Sequence, residues 1–402
     1  MSPIKPPSLE QAIGISCYTT DSDGIGGRIK QQPEDFVVEE VTPEGIVLEV
    51  GKQRAMNAGN PGSFVHCTLE KKNWDTMRAV KEIARRLGVS QRRICYAGTK
   101  DKMAVTTQRI SVSGKTIEDL KRISIRDLTL RDFNYADDNL GLGSLSGNRF
   151  TITIRGIKLG EEELRNRIDA ISKGLASGFP NFFGVQRFGT TRPITHLVGR
   201  EIVRGDFEKA VLVYLAKTFD GENEEALKAR KRLSETGDFK EALKYFPKNL
   251  GYEFSMLNHL VAKPGDFRGA LRVLPEGLSR MFVHAYQSYI FNKSLSEYIK
   301  KNIVVERLPL VGFESSLDEF TEKILEEENV KPEDFKVTEA TSLGSKGESR
   351  ECFAEVKDLK LLDIVVDELN EGSSKAVLQF SLQSGAYATT LLREYMKNEY
   401  WN

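Results

Sequence analysis

Apolar and polar residues alternate through much of the first 155 positions. The spacing predicts strands over 34–40, 46–50, 64–69, 93–96, 104–112, 125–133 and 150–157. One stretch has helical spacing instead. Over 74–87, Met77, Val80, Ile83, Ala84 and Leu87 share one face, Asn73 or Asp75 can cap the start, and Gly88 supplies a stop. A second helix is expected from 161 to about 175. No regular strand–helix–strand period links these elements, so the pattern predicts α+β rather than a doubly wound sheet.

From about 205 the pattern turns helical. Helices are expected over 207–219, 224–235, 239–245 and 278–298, and over 316–328 with Ser316 as N-cap. Strands return at 351–356, 363–366 and 376–382, and 388–397 closes the chain as a helix. The predicted layout is a sheet-rich first part over 1–200, a helix-rich insertion over 201–355, and a segment over 356–402 that rejoins the first sheet.

Composition narrows the class. With 40% hydrophobic and 29% charged residues, the chain reads as a globular protein rather than a disordered or fibrous one. The longest apolar run, 210–216, is far short of the ~20 residues a membrane helix needs. The N-terminal residues show no apolar core of a secretory signal. Cys17, Cys67, Cys95 and Cys352 lie scattered, without metal-ligand or disulfide spacing, which points to a reducing compartment and to the cytoplasm. The 58 basic and 58 acidic residues cancel, but unevenly. Residues 1–200 carry a net +7, 201–355 a net −5 and 356–402 a net −2, so the neutral total conceals a basic N-terminal half compatible with a nucleic-acid face.

Common site signatures are missing: there is no phosphate-binding loop, no HExxH and no GxSxG. His66 adjoins Cys67, but neighbours on a strand point to opposite faces. The Gly-rich stretch 23–27 precedes a strand, so it reads as a turn. Two stretches carry more. In Gly98-Thr99-Lys100-Asp101-Lys102, a carboxylate sits between two ammonium groups at a tight connection. Such an Asp often only caps its own turn, but a neighbouring cation also keeps a carboxylate ionised and usable as nucleophile or base. In Asn181-Phe182-Phe183-Gly184-Val185-Gln186-Arg187-Phe188-Gly189, three aromatics accompany Asn, Gln and Arg. This is either a core-lining loop or an aromatic platform for a base.

With PEDFVVEE at 33–40, AGTKDKMAVTTQ at 97–108 and GNRFTITIR at 147–155, these stretches form a series. It continues with NFFGVQRFG at 181–189, YQSYIFN at 286–292, LPLVG at 308–312 and LQSGAYATTLLRE at 382–394. In this order they resemble the TruD family of tRNA pseudouridine synthases over nearly the whole chain. Gln383 stands where many members have a proline. The stretch from about 200 to 275 is longer than in bacterial members and looks archaeal or eukaryotic in type.

The resemblance implies a pseudouridine synthase catalytic domain with a mixed, largely antiparallel sheet, interrupted by an inserted α+β domain. It implies tRNA as partner, uridine 13 as target, and neither cofactor, metal nor protein partner. It makes Asp101 the catalytic aspartate and Lys100 a basic residue beside it. Phe36, Asn181 and Tyr387 become contacts of the target nucleotide, with Phe183 a further aromatic; Arg187 and Arg192 are candidates for the RNA backbone. Attack at C1′, attack at C6 and a glycal route all stay open. Two rivals remain: a nucleosidase with Glu39 or Glu40 as second carboxylate, and a noncatalytic RNA-binding protein on the same fold.

Overall fold

A computed structural model describes residues 4–398. The chain forms two units: one holds 20–179 and 354–398, the other 4–19 and 180–353. The chain crosses between them at 19/20, 179/180 and 353/354, so the N-terminal residues up to 19 go with the helix-rich unit. Among the described residues, no helix is long and apolar enough to cross a membrane.

The unit holding 20–179 is built on one sheet of eight strands. They are β1 (Phe36–Val41), β2 (Phe64–Lys72), β3 (Ile94–Tyr96), β4 (Val105–Ser113), β5 (Leu128–Ala136), β6 (Gly147–Ile157), β7 (Val356–Val366) and β8 (Ser374–Gln383). Their order is β7-β8-β6-β1-β4-β2-β5, with β3 also paired to β4. Only β1 and β4 run parallel; the other pairings are antiparallel.

Period-two patterning explains the core of this unit. Register sets Phe36 opposite Ile152, and Val38 and Phe380 opposite Phe150. These side chains point to one face, where they pack with the helices Glu161–Gly174 and Ala388–Met396. On the same face, Val65, Cys67, Leu69, Ile110 and Val112 meet the Thr76–Leu87 helix. Asp75 caps that helix by accepting from the Arg78 N–H, and Gly88 ends it in the left-handed region at φ +64°.

The strand expected over 46–50 does not form. The Pro43–Gly45 turn folds this stretch back onto β1, where Val47 makes a single bridge to Val41 and Glu39 takes the Val50 N–H at 2.9 Å. β5 starts at Leu128, a few positions later than the spacing suggests.

In the other unit, the 25-residue helix Glu276–Lys300 forms the axis. Thr195–Val203 crosses it so closely that a Cβ on Gly199 would overlap the Phe282 carbonyl. Asn292 donates to the Ile13 carbonyl at 3.0 Å and Ser296 to that of Gly14 at 3.0 Å, which binds the N-terminal segment. Four helices here lack a sequence signal: Thr195–Val203, Gly251–Ala262, Phe267–Arg272 and the short Ser8–Ala12. The first is buried on nearly every side, so no polar face marks its period. The helix expected over 316–328 runs Glu319–Glu327, and its cap is Asp318 rather than Ser316.

Candidate active site

Asp101 lies on the loop from β3 to β4, and its carboxylate is 44% exposed. Lys30 Nζ sits 3.0 Å from Oδ1. The same ammonium lies 4.1 Å from the centroid of the Phe36 ring. Lys30 has left-handed backbone, φ +59°, an uncommon conformation for a lysine, at the turn leading into β1. A buried aromatic floor, a cation and an open carboxylate thus follow one another.

The loop bearing Asp101 is held from within. Lys71, on β2, is 1% exposed and donates to the carbonyls of Asp101 at 2.7 Å and Lys100 at 3.4 Å. Thr76 Oγ1 accepts the Lys100 N–H at 3.0 Å, and Gln108 donates to the Gly98 carbonyl at 2.9 Å. Lys100 turns inward. Its ammonium meets Glu40 Oε2 at 2.8 Å, and the other oxygen of Glu40 takes the Arg109 N–H at 2.9 Å. Burial, and secondarily the Lys100 charge, pull Lys71 down from its ordinary 10.5 to about 8, against Asp101 and Asp75, which push it up.

Phe36 is 1% exposed and meets Phe150 edge to face at 6.2 Å. Tyr387 is half-buried at the N-cap of the Ala388–Met396 helix, where its carbonyl accepts the Thr390 N–H at 3.0 Å.

The remaining candidates belong to the other unit. Asn181 is anchored on every side. Its N–H bonds the Cys352 carbonyl at 2.8 Å, its Nδ2 the Glu351 carbonyl at 3.0 Å, and its Oδ1 accepts from Arg350 at 2.6 Å. The Arg350 guanidinium also lies 4.1 Å from the centroid of the Phe183 ring. Asn292 brackets Phe183, accepting its N–H at 2.9 Å and donating to its carbonyl at 3.0 Å. Arg187 is partly buried and donates to Ser288 Oγ at 3.3 Å. Arg192 points inward, to the carbonyls of Tyr214 at 2.7 Å and Lys217 at 3.2 Å. Among the described residues, no group of three or more His, Cys, Asp or Glu is placed to hold a metal ion.

A family model described as tRNA pseudouridine synthase D (TruD) matches residues 12–309 and 299–395. The chain belongs to the TruD family. A protein named "Probable tRNA pseudouridine synthase D" from Methanococcoides burtonii is 39% identical to it, over 98% of each chain. "Probable tRNA pseudouridine synthase D 1" from Methanocaldococcus jannaschii is 39% identical over 96% of this chain and 99% of its own. A crystal structure from Methanosarcina mazei that carries the name TruD matches with a TM-score of 0.83 and 38% identity, over 98% of each chain. The α+β fold expected from the sequence is the TruD fold.

The TruD motifs directed attention to Lys100 as the cation beside Asp101, yet the cation on that carboxylate is Lys30. Adjacent side chains on an extended loop diverge, so Lys100 and Asp101 leave the main chain in different directions. Lys30 belongs to none of the quoted motifs; its only mark is that it lies six residues before Phe36. Arg350 was missed too, because it stands far from Asn181 in sequence and on a strand, Glu348–Glu351, with no motif of its own. Arg192 is not available to phosphate. Burial, and next to it Arg230, lower its pKa to about 10, and its donors serve internal carbonyls.

Proposed function

We propose that Asp101 carries the TruD reaction on this chain: conversion of uridine to pseudouridine in tRNA, at position 13, on a nucleotide turned out of its stack. One observation supports this above the others: an open carboxylate paired with the ammonium of Lys30 at 3.0 Å. The bond from N1 to C1′ breaks, a bond from C5 to C1′ forms, the C5 proton leaves and N1 gains one. Substrate and product are isomers, so the balance calls for neither oxidant nor group donor. Attack at C1′, attack at C6 and removal of a sugar proton all begin from the Asp101 carboxylate, whose Oδ1 the Lys30 ammonium meets at 3.0 Å.

Turning the base outward costs about a few kcal/mol, and one aromatic stack returns roughly 1–3 kcal/mol. Tyr387, half-buried rather than enclosed, suits this better than Phe36, whose ring lies in the core. The nucleosidase reading needs a second open carboxylate. Glu39 is paired with Arg149 at 2.7 Å and Glu40 with Lys100 at 2.8 Å, so neither suits that part. A tRNA substrate fits the cytoplasmic location expected from the sequence. The test is to incubate unmodified tRNA with the protein and map pseudouridine by chemical labelling. One new modification at position 13 is expected; an unmodified product, or free uracil, would sink the proposal.

A further inference from the structure

The Thr76–Leu87 helix begins at the catalytic loop, because the hydroxyl of Thr76 accepts the Lys100 N–H at 3.0 Å. From there it runs ~18 Å, at ~1.5 Å per residue, to a short turn, Gln91–Arg93. Helix and turn carry six cations, Arg78, Lys81, Arg85, Arg86, Arg92 and Arg93, against two carboxylates, Asp75 and Glu82. All six cations are exposed. Arg78, Lys81 and Arg85 recur at the spacing that builds one stripe along a helix. Asp75 is occupied as the N-cap, and Glu82 is claimed by Arg85 at 2.6 Å and Arg86 at 3.0 Å. Among the described residues, no carboxylate lies within ion-pair distance of Arg78, Lys81, Arg92 or Arg93.

A merely solvated helix face balances its charges. The Glu161–Gly174 helix of the same unit does so, pairing Arg165 with Glu161 at 3.1 Å and Arg167 with Glu163 at 2.5 Å. The Thr76–Leu87 helix does the opposite, in a chain whose net charge is zero. Uncompensated cations repel one another, and a polyanion relieves that repulsion.

We propose that this basic ridge is a phosphate track: it binds the backbone of the substrate RNA beside the target nucleotide and leads it to Asp101. This rests on the reaction assigned above. The ridge supplies affinity and orientation, while Asp101 supplies the chemistry.

The test replaces Arg78, Lys81, Arg92 and Arg93 together by glutamine and measures tRNA affinity between 50 and 200 mM salt. Each lost phosphate contact lowers the slope of log affinity against log salt by about 0.7–0.9. The variant is therefore expected to lose about two to four from the slope and at least roughly tenfold in affinity at low salt. Where the fourfold variant does not fold, the exposed pair R92Q and R93Q is used, with a loss of about one to two in slope. A wild-type slope in a folded variant would overturn the track. So would an equal fall when Arg165 and Lys173, on the balanced helix, are neutralised instead. A wild-type protein that forms no pseudouridine strikes the assigned reaction itself, and that is read before any variant is made.

Discussion

Lys71 holds Asp101 by its main chain: the buried ammonium donates to the Asp101 carbonyl at 2.7 Å while the carboxylate faces outward to Lys30. One lysine thus fixes the peptide and another fixes the charge. Removing the first should loosen the loop without touching substrate. Hydrogen bonds to charged groups contribute about 1.5–3 kcal/mol, so Lys71→Met should lower single-turnover rate about 10- to 100-fold at neutral pH, with tRNA affinity little changed.

The pH dependence separates this positioning role from a purely structural one. Lys71 titrates near 8, below its ordinary 10.5, so between these values the unfolded chain holds a proton that the folded one has lost. Its contribution to stability therefore rises with pH across that window. The charge-assisted bonds to the loop weaken over the same window, so turnover should fall as pH climbs through about 8. Opposite trends in melting temperature and rate are expected for wild type, and neither Lys71-linked trend in Lys71→Met. Parallel trends would remove Lys71 from the positioning role.

The Lys30–Asp101 pair makes a second forecast. It is partly exposed, so it contributes about 0–1 kcal/mol to stability, and Lys30→Met should melt near wild type. Its turnover should nevertheless fall, because Asp101 then lacks the cation that holds its Oδ1 at 3.0 Å and orients the carboxylate. Asp101→Asn should abolish pseudouridine formation and leave tRNA affinity within a few-fold. Normal turnover in Lys30→Met would reduce that lysine to a surface partner.

The fold was legible wherever burial has a period. Phe150, Ile152 and Ile154 alternate with polar residues on β6, and Val80, Ile83 and Leu87 recur along a helix. It was not legible where burial is complete, as in Thr195–Val203, or where a turn hides in a β-rich stretch, as at 43–50. The Asp101 loop announced itself by composition. Its partners did not, because a hydrogen bond from Lys71 or an ion pair from Lys30 joins residues 30 and 71 positions away. Linear spacing carries no trace of such a contact.

Phe36 shows the difference between motif and environment. Its motif suggests a stacking surface, but its ring is packed against Phe150 and roofed by Lys30. Phe36→Ala should therefore destabilise the unit by roughly 3–5 kcal/mol, read as a large fall in melting temperature. Phe36→Leu should recover most of it. A near-native melt for Phe36→Ala with impaired turnover would return the ring to the substrate.

Asn181 and Arg350 give the last forecast, and it concerns orientation. Arg350 donates to Asn181 Oδ1 at 2.6 Å and to its main-chain carbonyl at 3.1 Å, and the Asn181 amide nitrogen is fixed on the Glu351 carbonyl. This arrangement settles which end of the amide donates. Each end keeps one further capacity, one lone pair on the oxygen and one hydrogen on the nitrogen, for a pyrimidine edge or a sugar hydroxyl. Lysine cannot reproduce a planar fork that also lies over the Phe183 ring. Arg350→Lys should then reduce kcat/KM for tRNA by about tenfold or more, about 1.4 kcal/mol, with a modest fall in melting temperature. Asn181→Asp is the sharper case. It keeps the bond from Arg350, even strengthens it by charge, yet removes the donor to the Glu351 carbonyl. If Asn181 serves only the fold, Asp should melt lower and turn over normally. If its amide reads the nucleotide, Asn181→Asp should lose far more activity than stability, and Arg350→Lys should lose activity in the same direction. Wild-type kcat/KM in both variants would exclude this amide from substrate recognition.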